Sequence, residues 1–538
     1  MRLMVVVLMT VFLAAGCSQG QLGADAVTDT LGEAPGVATS DIGVEVATDG
    51  GAIAGERLAG GLHVYRGIPY AAAPVGPLRW LAPMPASTWE GTRDATEFSP
   101  VCPQPSGLAA MIQEALPEMD EDCLFLNIWT PAKTTGDALP VMVWIHGGGL
   151  SLGWSSQKGY DGQELAKRDV VLVSINYRLG PLGFLALPEL SAESEGTSGN
   201  YGLLDQVAAL EWVQRNIVAF GGDPGRVTIF GESAGGTSVV ALVASPATEG
   251  LFHGAIAQSP WFTDANVTNL STPGTFVASA EEMGVRWIDA IAPEANNRTL
   301  EALRAIPASE LVGDRKVPLP MYITVDGHFL PDSVEAIFQS GRQRSVPLMI
   351  GTNADEGTLF MQAGYGDKEQ LHATVQRTYG EATDALLAPY LSDNADVRDA
   401  ANQFLTDTWF VRPTRAILGG STGAARAPAY QYHFTRKSRE NALGAHHAAE
   451  IGYTFNNRNS FAVETAVAPD RVDEALSAAM IGYWTQFAKT GDPNTEGRVE
   501  WPAYDQDTRA YLELGDVIAV GSALGADRLD RLDVILAR

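Results

Sequence analysis

The sequence has little positive charge and few cysteines for its 538 residues. Lys and Arg number 36 against 64 Asp and Glu, so the formal net charge is −28 at pH 7. Because nucleic-acid-binding proteins carry basic patches, this deficit excludes a nucleic-acid partner and disfavours adsorption to anionic lipid. The sequence also lacks internal repeats and metal-ligand spacings. Its 46% hydrophobic and 19% charged residues are typical of a soluble globular protein.

The three cysteines are Cys17, Cys102 and Cys123. A charged start precedes the apolar run 3–15, which is too short to span a bilayer but typical of an export signal. Residues 13–17 read LAAGC, similar to the lipid-attachment box of bacterial lipoproteins, although Ala14 replaces the more usual Leu. We predict a lipoprotein-type signal at 1–17, lipidation of Cys17, and a place in the cell envelope or secretion. An ordinary cleaved signal with an incidental cysteine is the alternative.

Beyond the signal, the composition and the periodicity of the sequence change near residue 42. Residues 18–41 are rich in Ala, Gly, Thr and Asp and lack a periodic apolar pattern, which predicts a flexible tether. Alternating apolar and polar residues around a turn at 49–51 predict a hairpin at a sheet edge. Strand candidates are 139–145, 170–175, 227–230, 255–257, 346–350 and 429–434, with a helix at 203–217. The alternation predicts an α/β fold with a mostly parallel sheet, capped by the helical regions 278–311 and 368–418.

The functional interpretation depends on residues 227–236, which read VTIFGESAGG. A strand-like run ends in Gly-x-Ser-x-Gly and turns at once into a helix-like apolar run, which forces Ser233 onto a tight bend. Strand, turn and helix crowd together there, so Gly231 and Gly235 fit. The bend places the Ser233 hydroxyl at the positive end of the following helix. Alone the pattern is weak, because glycine and serine are common in ordinary turns.

A serine hydroxyl needs a base that takes its proton, and the developing oxyanion needs main-chain N–H donors. Residues 146–149 read HGGG and directly follow a predicted strand. Consecutive glycines let main-chain N–H groups converge without side chains in the way. Ala234, the residue after Ser233, supplies a further N–H group. The alternative for such glycines is a plain flexible turn.

Candidates for the base and for the acid that orients it occur as adjacent pairs. His446 and His447 lie in one Ala-rich loop, and Asp355 and Glu356 lie in the loop after strand 346–350. The order serine, acid, histidine is that of α/β-hydrolases. Spacing alone chooses neither between the two histidines nor between the two carboxylates.

Four longer motifs make the sequence similar to the type-B carboxylesterases, the cholinesterase-like α/β-hydrolases. They are FGGDPGRVTIFGESAGG at 220–236, EDCLFLNIW at 121–129, GNYGLLDQ at 199–206 and WTQFAKTGDPN at 484–494. The likeness extends from about Gly43 to the C-terminal region. It implies a single α/β-hydrolase domain at 42–538 with helical cap insertions, whereas length alone allows three or four domains.

The resemblance resolves the open alternatives. It implies Ser233 as nucleophile, Glu356 as acid and His447 as base, which leaves His446 as a bystander. It also implies an oxyanion hole at Gly148, Gly149 and Ala234, a disulfide between Cys102 and Cys123, and an ion pair between Arg79 and Glu121. Glu232 is either a supporting carboxylate of the site or one that only stabilises the turn. Trp261, Phe262, Phe360 and Phe410 are candidates for an acyl pocket, although such residues more often belong to an ordinary core.

The implied function is hydrolysis of small-molecule carboxylic esters through an acyl-enzyme, without a metal or organic cofactor. Two departures from the family pattern bear on specificity. Pro260 replaces a usual glycine, and the loop 102–123 contains no tryptophan, which argues against choline esters. The rival hypotheses are a non-catalytic cholinesterase-like binding or adhesion protein, and an amidase or carbamate hydrolase that uses the same residues.

Overall fold

The structure is a computed structural model, and it describes a defined part of the chain. The described residues are 40–263, 266–274, 277–293, 298–313, 320, 322–361, 365–391, 395–422, 426–437, 443–457 and 468–536. The predicted signal at 1–17, Cys17 and residues 18–39 of the predicted tether lie outside these ranges. None of the described helices combines the length and the apolar character that a bilayer crossing requires.

A large twisted sheet forms the centre of the described fold. Its strands, across the sheet, are β16 (Ala519–Ser522), β15 (Ala510–Leu514), β14 (Ala429–Phe434), β13 (Leu348–Asn353), β10 (Gly254–Gln258), β9 (Gly222–Glu232), β7 (Leu139–Ile145), β8 (Val171–Ile175), β6 (Phe125–Thr130), β4 (His63–Pro69) and β3 (Glu56–Arg57). The stretch from β15 to β8 is parallel and both margins are antiparallel. A separate parallel pair consists of β11 (Val267–Asn269) and β12 (Ile323–Val325). Strands β6, β8, β10 and β13 are buried along their whole length, and β7 is buried after its first residue, which explains their largely apolar sequences.

Helices flank this sheet. The α-helices are α1 (Gly107–Ile112), α2 (Gln163–Ala166), α3 (Gly180–Phe184), α4 (Pro188–Glu193), α5 (Tyr201–Asn216), α6 (Ala234–Ala244), α7 (Ala280–Ile291), α8 (Leu300–Arg304), α9 (Ala308–Val312), α10 (Val334–Ser340), α11 (Lys368–Tyr379), α12 (Thr383–Leu387), α13 (Val397–Leu405), α14 (Arg412–Ser421), α15 (Ile451–Thr454), α16 (Arg471–Thr490) and α17 (Ala526–Leu536). A π-helix, Thr406–Val411, joins α13 to α14. The predicted strands, the helix at 203–217 and the helical character of the two cap regions are confirmed.

The predicted hairpin at the N-terminal end forms, and it lies at a sheet edge as expected, although the sheet is a small one separate from the large sheet. Strands β1 (Glu45–Ala47) and β2 (Ala52–Ala54) pair antiparallel around the expected turn. They form a separate three-stranded sheet with β5 (Thr92–Asp94) instead of the edge of the large sheet. The edge strand is β3, which pairs with β4. Alternation in the sequence specifies a half-buried strand but does not specify its partner, which a later segment supplies.

The crowding expected around Ser233 is present at the junction of β9 and α6. A Cβ atom at Gly231 would lie 2.5 Å from the carbonyl oxygen of Ile145, and one at Gly235 would lie 2.0 Å from the same atom. Any larger residue would therefore push α6 away from β7. Because the carboxyl ends of neighbouring parallel strands meet at one edge, the loops after β7, β9, β13 and β14 converge around this junction.

Candidate active site

Ser233 lies at a strained turn between strand and helix. Its φ is 56° and its ψ is −122°, a conformation that residues other than glycine rarely adopt. The N–H of Ser233 donates to the carbonyl of Gln258 at 2.9 Å, which ties the turn to the neighbouring strand β10. The residue is only partly buried, whereas Glu232 and Ala234 on either side are buried. The fold therefore presents this one side chain to an approaching molecule.

His447 and Glu356 form a short hydrogen bond in the interior. The distance between His447 Nδ1 and Glu356 Oε2 is 2.6 Å, and the two side chains are 5% and 0% exposed. The other carboxylate oxygen of Glu356, Oε1, accepts the main-chain N–H of Asn353 at 2.7 Å. With both oxygens engaged, the carboxylate has one orientation. A carboxylate that accepts from Nδ1 leaves Nε2 of the neutral ring without a proton, which is the form that a general base requires.

The second ring nitrogen of His447 faces the residue before the serine. Nε2 has no hydrogen-bond partner among the described residues, and Oε1 of Glu232 lies 3.2 Å from it. A hydrogen bond from Ser233 to Nε2 is therefore not formed in this structure. Such bonds are commonly long in active sites without substrate and shorten when substrate binds. The contact with Glu232 brings the histidine ring to the residue adjacent to Ser233.

Three buried carboxylates surround this imidazole. Burial lowers the pKa of His447, but the negative charges of Glu232 and Glu356, with a further contribution from Glu450, raise it to about 9. Burial also raises the pKa of Glu232 well above its ordinary value, against the opposing effect of His447. The site thus holds a strongly basic imidazole beside a carboxyl group that is unusually easy to protonate.

The glycine loop after β7 packs directly on the serine turn. A Cβ atom at Gly147 would lie 3.1 Å from Cβ of Ser233, so the loop and the turn are in contact. Gly148 and Gly149 have φ angles of 109° and 63°, and neither N–H group donates to another described residue. A Cβ atom at Gly148 would lie 2.2 Å from the carbonyl oxygen of Leu152. The loop can adopt this shape only with glycine, and it leaves N–H donors unused beside Ser233.

His146 contacts that loop and supports its shape. Its ring stacks on Tyr177 with a centroid distance of 4.5 Å, and its Nδ1 lies 2.8 Å from the carbonyl oxygen of Gly147. Burial lowers the pKa of His146 to about 4, so the ring is neutral at ordinary pH. The hydroxyl of Tyr177 donates to the carbonyl of His146 at 2.8 Å. The sequence marks His146 only as the start of the HGGG motif, and Tyr177 is missed.

Aromatic side chains form a wall beside His447. The rings of Phe360 and Phe410 lie 5.1 and 4.9 Å from the His447 ring, measured between centroids. Phe360 also lies 5.4 Å from Trp409, which stacks on Trp261 at 5.6 Å. The two tryptophans line a cavity of about 420 Å³, which Phe262 also borders. The π-helix supplies both Trp409 and Phe410, so an uncommon local geometry shapes this wall.

The remaining predicted pairs are also present. Cys102 and Cys123 form a disulfide with a Cα–Cα distance of 5.0 Å. Arg79 Nε donates to Glu121 Oε2 at 2.8 Å in the predicted ion pair. His446 directs its Nδ1 to within 2.7 Å of the carbonyl oxygen of His447, and it does not contact Glu356.

A buried network behind the histidine was missed by the sequence reasoning. The Asn353 side-chain amide donates to the carbonyl of His446 at 2.8 Å and to Glu450 Oε2 at 2.6 Å. Gln258 Nε2 donates to Glu450 Oε1 at 3.1 Å, and Trp484 Nε1 donates to Gln258 Oε1 at 3.0 Å. Partners here are 93 to 226 positions apart, so periodicity and spacing contain no sign of them.

Comparisons with known proteins agree with this arrangement of residues. The model of the Carboxylesterase family matches residues 43–530. The para-nitrobenzyl esterase of Bacillus subtilis (strain 168) is 38% identical over 491 residues, covering 88% of this chain and 95% of that protein. The cocaine esterase of Oryctolagus cuniculus is 39% identical over 504 residues, covering 87% and 90%. A solved structure of a PNB esterase superposes with a TM-score of 0.79 at 35% identity, covering 91% of this chain and 99% of that one.

Proposed function

This chain belongs to the carboxylesterase family and hydrolyses carboxylic esters, and from that premise we propose that it does so through an acyl-enzyme formed on Ser233. The observation that carries the proposal is the His447–Glu356 hydrogen bond of 2.6 Å, with the opposite ring nitrogen free of hydrogen bonds to the described residues and facing Glu232, the residue before Ser233. The nucleophile, its base and the orienting acid are all intact. A non-catalytic binding protein does not need all three residues, so their presence disfavours that hypothesis.

In the proposed mechanism, Ser233 Oγ attacks the ester carbonyl while His447 Nε2 takes its proton. Glu356 stabilises the resulting imidazolium through Nδ1–H. The N–H groups of Gly148, Gly149 and Ala234 donate to the oxyanion of the tetrahedral intermediate. The intermediate collapses, and the alcohol leaves with the proton from His447. Water then attacks the acyl-enzyme with the same base and releases the carboxylic acid.

The surroundings of His447 favour neutral, apolar acyl groups. The wall next to the ring is aromatic, and the buried carboxylates of Glu232, Glu356 and Glu450 disfavour a negatively charged acyl group on the substrate.

A panel of phenyl esters with acetyl, octanoyl, benzoyl and anionic succinyl groups tests this preference. We expect an initial burst of phenol stoichiometric with enzyme, and the succinyl ester to react at least about tenfold more slowly than the neutral esters. Absence of an acyl-enzyme on Ser233 by mass spectrometry would contradict the mechanism. Matched anilides that react faster than the esters would instead favour the amidase.

Glu232 is proposed to set the pH at which the enzyme becomes active. Its carboxylate is one of the charges that raise the pKa of His447, which must be neutral to act as a base. Removing that charge in Glu232→Gln lowers the pKa of His447, so the rising limb of kcat/KM moves to lower pH, by about one unit or more. The pH profile of kcat/KM measures the shift, and the exposed Glu90→Gln is the control. An unmoved limb in Glu232→Gln would show that Glu232 carries no charge in the working enzyme.

We also propose that residues 1–17 direct export and that Cys17 carries a lipid anchor. What supports this is the charged start, the apolar run and the LAAGC sequence, all outside the described residues. In a bacterial host, the wild-type protein is expected in the membrane fraction with incorporated radiolabelled palmitate, and Ser18→Ala is expected to behave likewise. Cys17→Ser is expected to lose both label and membrane attachment. Unlabelled wild-type protein would indicate an ordinary cleaved signal.

A further inference from the structure

Asp355, the carboxylate next to Glu356, joins the two loops that carry the proposed acid and base. We call residues 353–359 the acid loop and residues 443–449 the histidine loop. The N–H of Asp355 donates to the carbonyl of Ala445 at 2.9 Å, and the N–H of Ala445 donates back to Asp355 Oδ2 at 2.9 Å. These two bonds connect segments 90 positions apart in sequence. Asp355 is adjacent to Glu356 in the sequence, and Ala445 is two residues before His447.

Two further donors reach the same carboxylate from other parts of the fold. Asn402 Nδ2, on α13, donates to Asp355 Oδ1 at 3.0 Å, and Lys437 Nζ lies 2.9 Å from Oδ2. The Asp355 side chain is 14% exposed, whereas that of Lys437 is 62% exposed. Both oxygens of Asp355 are therefore engaged by groups other than the imidazole of His447. Asp355 cannot serve as the orienting acid, because Glu356 occupies Nδ1 of that ring.

The histidine loop is shaped to receive this carboxylate. Gly444 has a φ of 68°, and a Cβ atom there would lie 2.4 Å from Asp355 Oδ2. Glycine is therefore required at this position both by its left-handed conformation and by the close approach of the carboxylate. Thr358 provides a second connection between the two loops. Its Oγ1 lies 2.7 Å from the carbonyl oxygen of Asp355 and 2.8 Å from that of Leu443.

We propose that Asp355 is a positioning residue, whose carboxylate holds the histidine loop in register with the acid loop and so keeps His447 within hydrogen-bond distance of Glu356. The inference rests on the proposed function, in which that pair activates Ser233. A short, charge-assisted hydrogen bond between groups on two separate loops persists only while the loops keep their spacing. A displacement of about 1 Å in such a pair is enough to lower the rate by about a hundredfold.

The test compares Asp355→Ala with Asp355→Asn. Both variants remove the same charge, so any difference between them reports geometry. Asn retains the size of Asp and one acceptor oxygen. Its NH₂ group, however, replaces an oxygen that accepts a hydrogen bond, so it points a donor at another donor. We expect kcat to fall by about 10- to 100-fold in Asp355→Ala and by about 5-fold or more in Asp355→Asn, with KM within about threefold of wild type, because substrate contacts are untouched. Active-site titration with a fluorophosphonate gives the concentration of competent enzyme.

The control is Asp505→Ala, which removes a carboxylate that accepts the N–H groups of Asp507 and Thr508 in an exposed loop. It is expected to change thermal stability without changing kcat. If the Asp355 variants lose stability but retain wild-type kcat per titrated site, Asp355 is only structural and the inference is overturned. Asp355→Asn decides the matter should Asp355→Ala not fold. Failure of the fluorophosphonate to label wild-type enzyme would instead refute the proposed function, whatever the Asp355 variants do.

Discussion

Replacing Ser233 with alanine is expected to lower kcat/KM for carboxylic esters by about 10⁴- to 10⁶-fold while the fold stays intact. Without Oγ there is no acyl acceptor at the turn, and the glycine loop and the histidine retain only the ability to polarise a bound ester. The measurement is alcohol release by the wild type and the variant at matched concentrations, together with fluorophosphonate labelling. Labelling is expected to disappear completely with the hydroxyl.

Ser259 provides a matched control for this prediction. It is a second serine with a positive φ, 45°, and it follows the strand next to β9, but it is fully buried. A reagent cannot reach its hydroxyl, so Ser259→Ala is expected to retain labelling. Labelling that persists in Ser233→Ala, or that disappears only in Ser259→Ala, would place the nucleophile elsewhere and invalidate the proposed mechanism.

Glu356→Gln is expected to have the next largest effect, a loss of about 10²- to 10⁴-fold in kcat. The main-chain N–H of Asn353 requires an acceptor at one oxygen position, so the amide oxygen of the glutamine is drawn there. The NH₂ group then faces Nδ1 of His447. That nitrogen must become the acceptor, and the ring proton moves to Nε2, where it prevents proton abstraction from Ser233. The substitution therefore selects the wrong tautomer with little change in volume.

Steady-state kinetics on one neutral ester, with Glu90→Gln again as the surface control, measures this loss. Thermal unfolding of Glu356→Gln is expected to stay close to that of the wild type, because the buried hydrogen bonds are exchanged and not removed. Retention of activity within about fivefold of wild type would mean that His447 does not depend on Glu356, and it would reopen the choice of orienting acid.

Much of the central fold was predictable because local chemistry specifies it. The run 139–145 is continuously apolar, which is typical of a strand buried on both faces, and it forms β7. The glycines at 231 and 235 are required by the approach of the Ile145 carbonyl, and their spacing around serine already indicates a sharp turn. The N-terminal hairpin shows the limit of such reasoning. Its strands and turn follow from alternation, but the sheet it joins depends on β5, some forty residues further along the chain.

Within the site, residue types and their order in the chain were readable from the residues themselves, whereas their pairing was implied only by the family resemblance. Asp355 and Glu356 are adjacent carboxylates, and only the turn of the loop sends one to the imidazole and the other to Ala445. The same holds for Glu232, for which the sequence left open a supporting role in the site and a role in the turn alone until β9 and the histidine loop are brought together. Neither sequence spacing nor composition distinguishes these roles, because the partners lie on distant loops.

By itself, the sequence determined the kind of chemistry: a serine forced onto a bend, glycines able to expose main-chain donors, and a histidine and carboxylates in the expected order. The choice of Glu356 over Asp355 followed from the family resemblance and not from spacing. The tertiary structure alone showed that Glu232 faces the opposite ring nitrogen of His447 and that Asp355 connects the two loops. The physical reason is that hydrogen bonds act over about 3 Å, a distance set by how strands stack in the sheet and not by position along the chain.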